Sequence, residues 1–296
     1  MTEVTFSGIL HSNKQSTVLI TDGEGTTHEN VGRIEPSQRR GAVNKGIKMK
    51  KSIIRQFFAL LLILCLLPTA SALAWTDQAH MAMGMAAGFR CFHNCGGVDL
   101  SHTVAAINGL TQADGQAHFF NAPTDYEVTA DDVYAQMQDI GKSREECPEG
   151  YLLGVILHTV RLCKEQTESG EFDDEYYAVL LHYIADLAQP LHMTFYDDFN
   201  RTYHLACDDI LSDTEAAYPV FASVALAKEL ETDDELRFGT EEELLEAVID
   251  LAGQSQELAE IMRAEQRIIT REEALRQLSR AATLGKAALR YCGKIE

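Results

Sequence analysis

The chain has 296 residues, 46% of them hydrophobic and 24% charged, and a formal net charge of −20. The acid excess lies beyond residue 74, where 16 Lys and Arg face 40 Asp and Glu for a net charge of −24. Such a surface repels nucleic acid and anionic lipid at long range, which excludes a protein that grips DNA by non-specific electrostatics; bound divalent cations would reverse the field locally.

In chain order, residues 1–48 show neither helical periodicity nor a motif and read as an N-terminal extension or as a start placed too far upstream, with Met49 the true start. Met49-Lys50-Lys51 and Arg55 form a basic n-region, Phe57 to Leu67 an apolar h-region broken by Pro68, and Ala72-Leu73-Ala74 a small-residue cleavage site. Residues 49–74 therefore read as a signal peptide, with an apolar run short of the roughly 20 residues a membrane span needs. The expected mature protein, 75–296, is one secreted or periplasmic domain with a full core and no transmembrane anchor.

Beyond the signal, small and apolar residues from Gln78 to Phe89 predict a helix, and Gly96-Gly97 a turn. A short helix is expected over 102–110, a loop from His118 to Thr129, and a capped polar helix from Asp131. Pro148-Glu149-Gly150 opens a helix with Leu152, Leu153, Ile156, Leu157 and Val160 at helical spacing. The next, Asp174 to Leu187, ends before Pro190 and is apolar on most sides, as a central bundle helix is. Glu241 to Ala252, Ile261 to Ile269 and Ala274 to Leu289 repeat the helical stripe. No glycine-rich nucleotide loop, strand alternation or internal repeat is present, so the fold class is all-α, a compact multi-helix bundle.

Cys91, Cys95, Cys147, Cys163, Cys207 and Cys292 make an even set beyond the signal. In an oxidising compartment they are expected to staple the bundle as three disulfides, Cys91–Cys95 being the easiest local pair. A soft zinc site is the competing reading, without the paired Cys-x-x-Cys spacing that favours one.

His182 and Asp186 stand at i and i+4, which puts an imidazole and a carboxylate on one helical face. His204 and Asp208, and Asp114 and His118, repeat the spacing, and His192 follows Gln189-Pro190-Leu191 where a helix has ended. Each pair alone is equally well a structural hydrogen bond. Together with His80 they supply N and O donors for two or three divalent ions. Cleavage before Trp75 adds a two-point chelate, its freed α-amine and its carbonyl oxygen.

With Trp75 and His80 five residues on, the block His182-Tyr-Ile-Ala-Asp186-Leu-Ala-Gln-Pro-Leu-His192 and the closing His204-x-x-x-Asp208, the chain resembles the zinc-dependent phospholipase C and S1/P1 nuclease superfamily, closer to the S1/P1 nucleases. The resemblance runs from Trp75 to about Asp208. It implies a helical fold of the phospholipase C and P1 nuclease type holding three Zn2+ ions. Asp114, His118, His182 and Asp186 would hold one; His192, His204 and Asp208 the second; and Trp75 with His80 the third, which Asp186 would bridge to the first. Asp99 is the alternative to Asp114. His158, on an apolar helix face, reads as a core histidine, and His93 and His102 carry no spacing that demands a site role.

The chemistry implied is hydrolysis of a phosphodiester by a metal-activated water, with Asp114 as candidate general base. His118-Phe119-Phe120-Asn121 resembles the nuclease segment in which an aromatic stacks on a base and an acid bonds its edge, so Phe119 and Asn121 are the candidate substrate-binding residues. Asn121 stands where that acid is expected, and Phe119 and Phe120 read equally well as core or rim aromatics. The expected substrate is single-stranded DNA or RNA. Phosphatidylcholine-type lipid is the alternative, to which the short gap between His192 and His204 points. No stable protein partner is implied, and a metal-binding protein without catalysis is the non-enzymatic reading.

Overall fold

The computed structural model describes residues 75–98, 115–123, 125–171 and 173–296, all within one unit, Pro68–Glu296. The N-terminal extension, the signal segment, the 102–110 helix, Asp99, His102 and Asp114 lie outside the described residues. Within them the protein is helical and carries no strand. Eight α-helices are described: α1 Asp77–Ala86, α2 Ala130–Met137, α3 Leu152–Ser169, α4 Asp174–Leu187, α5 Asp198–Asp208, α6 Pro219–Ala227, α7 Glu241–Glu265 and α8 Arg271–Tyr291. Short 3-10 turns fall at Phe92–Cys95, Gly115–His118, Pro190–His192 and Asp209–Leu211.

Helix α4 is the axis of the bundle. Every residue from Tyr177 to Leu187 is buried, and α1, α3, α7 and α8 pack around it. A helix apolar all round buries all faces, and its last carbonyls then need partners inside the protein. The Trp75 indole N–H donates to Ala185 O at 3.0 Å, the Ser255 hydroxyl of α7 to Leu187 O at 2.7 Å, and the Gln277 amide of α8 to Ala188 O at 3.4 Å. Three distant parts of the chain thus close the end of α4 from which the site begins.

Two glycines set how closely the helices approach. A Cβ on Gly154 of α3 would lie 2.4 Å from the backbone at Gln136 and Met137, so α2 crosses α3 there and nowhere bulkier. A Cβ on Gly84 of α1 would meet Cys95 Sγ at 2.7 Å. That contact seats the Phe92–Cys95 turn against α1, within reach of α4.

The sequence expectations hold for α1, α2, α3, α4 and α8 to within a few residues. The expected break after Ala252 and helix over Ile261–Ile269 do not occur: α7 runs unbroken to Glu265. The chain turns at Gln266, whose φ of 51° is left-handed and ends the helix, and Ile268 and Ile269 sit in the connection. Thr270 then starts α8 through a reciprocal capping box with Glu273. Helix α6 had no sequence expectation. The six cysteines are free thiols, of which only Cys91 is not buried.

Candidate metal centre

The first cluster is built on α4. One turn of helix separates His182 from Asp186, and both are fully buried. Asp186 Oδ2 lies 2.9 Å from His118 Nδ1 and 3.3 Å from His182 Nε2, while Oδ1 faces His80 Nε2 at 3.4 Å. The carboxylate therefore presents one oxygen to each side, as a bridging ligand does. His80 comes from α1 and stacks on His182 with ring centroids 3.8 Å apart. His182 Nδ1 donates to the Cys95 carbonyl at 3.0 Å, which aims Nε2 at Asp186 and His118. Trp75, 1% exposed, is tied by its indole to Ala185, the residue before Asp186.

The second cluster follows where α4 stops. Pro190 cannot continue the helix and holds Gln189 in an extended conformation, so the next turn swings His192 inward. Asp197 caps α5 by accepting from Asn200 N at 3.0 Å, and α5 presents His204 and Asp208 on one face. His204 Nε2 lies 3.6 Å from Asp208 Oδ2 and 3.1 Å from His192 Nε2.

Hydrogen bonding fixes the protonation of that pair. His192 Nδ1 faces the His118 carbonyl at 2.5 Å, and His204 Nδ1 the Asn200 side-chain oxygen at 2.8 Å. Both partners only accept, so both Nδ1 atoms carry the hydrogen. In neutral rings the two Nε2 lone pairs then point at each other, an arrangement that repels unless a cation lies between them. Burial, then the neighbouring His192, hold the His204 pKa down to about 3, so the ring is neutral and available to a metal. Burial alone would raise Asp186, but His182, His118 and His80 hold it well below the usual carboxylate range. The groups His80, His182 and Asp186, and His192, His204 and Asp208, each can hold a metal ion.

The structure brings together His80, His118, His182 and Asp186 in one cluster and His192, His204 and Asp208 in the other, joined by the His118 backbone. Asp114 is outside the described residues. Phe119 is half-buried, its ring over Gly150 where a Cβ would come within 2.6 Å of it. Asn121 is half-buried too, bonded through its backbone to Glu149 O at 2.7 Å and through its amide to Pro148 O at 3.4 Å. His158 is half-buried on α3 rather than a core residue, and His93 is exposed; neither belongs to a cluster.

Sequence reasoning missed the groups that hold the ligands: Gln189, Asn200 and the carbonyls of Cys95 and His118. Asn200 stands four residues before His204, a spacing that marks a helical neighbour. The two carbonyls come from remote segments and leave no sequence signal. Met193 and Thr194, next in the chain after His192, line a groove of about 680 Å3 between the 123–128 loop and α7, together with Asp125, Glu127, Glu257 and Glu260. Comparison with family models, curated proteins and solved structures returns no match.

Proposed function

We propose that residues 75–296 form a secreted or periplasmic trinuclear-zinc phosphodiesterase, in first place an S1/P1-type nuclease acting on single-stranded DNA or RNA. The observation that carries the metal centre is the pair of facing Nε2 atoms of His192 and His204, 3.1 Å apart, with both Nδ1 atoms bound to acceptors and Asp208 beside them. His192, His204 and Asp208 would hold one ion; His118, His182 and Asp186, with Asp114, a second; and His80 with the freed Trp75 amine and carbonyl the third. When bound, the ions would supply Lewis-acid stabilisation of the phosphoryl oxygens and lower the pKa of the attacking water. Asp186, with one oxygen toward His80 and the other toward His118 and His182, would be shared between two of the sites. Asp114 would be the base for the attacking water, and Phe119 would offer a face to a nucleobase.

A second reading has its own support. The groove lined by Met193 and Thr194 also carries four carboxylates, Tyr126 and apolar side chains. It repels a polyanion and suits a cationic head group next to a phosphodiester, as in a phosphatidylcholine-type lipid. No described helix is long and apolar enough to cross a membrane.

Disulfide stapling belongs to the same reading. Burial and the neighbouring Cys292, which lies after α8 and donates its thiol to Val160 O at 3.7 Å, push the Cys163 thiol on α3 well up, so these neighbours are the pair assigned to bridge first. Each gives up its hydrogen as an incoming disulfide is reduced to two thiols.

The test is hydrolysis by zinc-loaded protein beginning at Trp75, on single-stranded nucleic acid and on phosphatidylcholine micelles, with and without chelator. Chelator-sensitive cleavage of nucleic acid alone supports the nuclease. Release of phosphocholine alone selects the lipase, and turnover of neither overturns both in favour of a metal-binding protein. An extra residue before Trp75 is expected to lower zinc content by one equivalent; unchanged content defeats the N-terminal ligand.

A further inference from the structure

Gln189 and Asn200 are both fully buried, and both converge on the backbone of one residue, Leu191. Leu191 N–H donates to the Gln189 side-chain oxygen at 2.5 Å, and the Leu191 carbonyl accepts from the Asn200 amide nitrogen at 2.7 Å. A carboxamide has a donor and an acceptor on one rigid plane, so the end that meets the backbone decides what the other end must be. Leu191 N–H requires an oxygen of Gln189, which leaves the Gln189 NH2 to donate to Asp208 Oδ1 at 2.5 Å. The Leu191 carbonyl requires the NH2 of Asn200, which leaves the Asn200 oxygen to accept from His204 Nδ1 at 2.8 Å. Flipping either amide would set a donor against a donor or an acceptor against an acceptor.

We propose that Gln189 and Asn200 are paired positioning residues which impose, from the Leu191 backbone N–H and carbonyl, the Nδ1–H tautomer of His204 and the acceptor state of Asp208, so that the second cluster is ready for a divalent cation before one arrives. Leu191 immediately precedes His192, so the backbone of this one residue fixes all three ligands: His192 by covalent connection, Asp208 through Gln189 and His204 through Asn200. The inference rests on the metal-centre reading for the identity of the ligand, while its tautomer component concerns the metal-free protein. Outer-shell groups of this kind hold a ligand's orientation and basicity, and their loss typically weakens metal affinity about 10–100-fold.

The test uses the full mature domain with 15N-labelled histidine and the variants Asn200→Ala, Asn200→Asp and Gln189→Glu. Asn200→Ala is expected to let metal-free His204 populate the Nε2–H tautomer, seen in long-range 1H–15N spectra, and to weaken zinc at the second cluster about 10–100-fold, with the first cluster unchanged in chelator competition. Asn200→Asp keeps an oxygen against His204 Nδ1 and is expected to restore the tautomer. Gln189→Glu is nearly isosteric but sets a carboxylate against Asp208, and is expected to weaken that cluster most. Retained zinc binding, with Asn200→Ala matching the unaltered protein in tautomer and within about twofold in affinity, overturns this inference alone. Failure of the unaltered protein to bind zinc at all overturns the metal-centre reading and this inference together.

Discussion

Asp186 is the residue on which the first cluster turns, because its two oxygens serve imidazoles from three separate segments. Asp186→Asn keeps the shape but removes the charge, and under the bridging assignment two of three zinc equivalents lose a ligand. Titration calorimetry is expected to show the stoichiometry falling from three toward one, with hydrolysis reduced at least about 100-fold; three retained sites would remove Asp186 from the bridge. His204 gives a pH prediction. Its folded pKa of about 3 lies below its ordinary 6.5, so between those values the unfolded chain binds the proton and the folded one does not. Stability conferred by the neutral ring is present above pH 6.5 and lost as pH falls toward 3. Melting curves of metal-free His204→Gln should therefore fall less steeply with acidification than those of the unaltered protein.

Helix ends, more than helix centres, make the site. Pro190 stops α4 and starts the turn that delivers His192, and both effects follow from its fixed φ and missing N–H. Thr270 and Glu273 start α8 through a capping box already present in the sequence as Thr-x-x-Glu. The break at Gln266 left no comparable mark: glutamine is not a left-handed residue by preference, and its conformation is held by tertiary contacts, the Tyr203 hydroxyl donating to its carbonyl at 3.1 Å. Periodicity therefore found the long amphipathic helices and misplaced this junction. Where α2 crosses α3, Gly154→Ala would drive a methyl into the Gln136–Met137 peptide. It is expected to cost about 1–3 kcal/mol, read as a lower urea midpoint with unchanged slope.

At the scale of the molecule the two clusters are linked, because His118 lends its ring to the first and its carbonyl to the second. Removing zinc is thus expected to loosen both together: chelator should lower the melting temperature by several degrees, with a shift that grows as free zinc is raised above its dissociation constant. A melt unaffected by zinc would show that the ions do not support the fold. The charge of −24 adds a second expectation. If nucleic acid is the substrate, the metal-free protein should not retain it, and binding should return with the ions.

The helical class, the central place of α4 and the seven described side chains of the two clusters were legible in the sequence. Hydrophobic periodicity and i, i+4 spacing are local properties, fixed by 3.6 residues per turn whatever the chain does later. Which atoms face which was not legible. The division of Asp186 between His80 and His118, the opposed nitrogens of His192 and His204, and the Leu191 backbone that orients Gln189 and Asn200 join segments up to about a hundred residues apart. Only packing against a common helix decides them, since buried hydrogen-bonding groups must find partners wherever the fold places them.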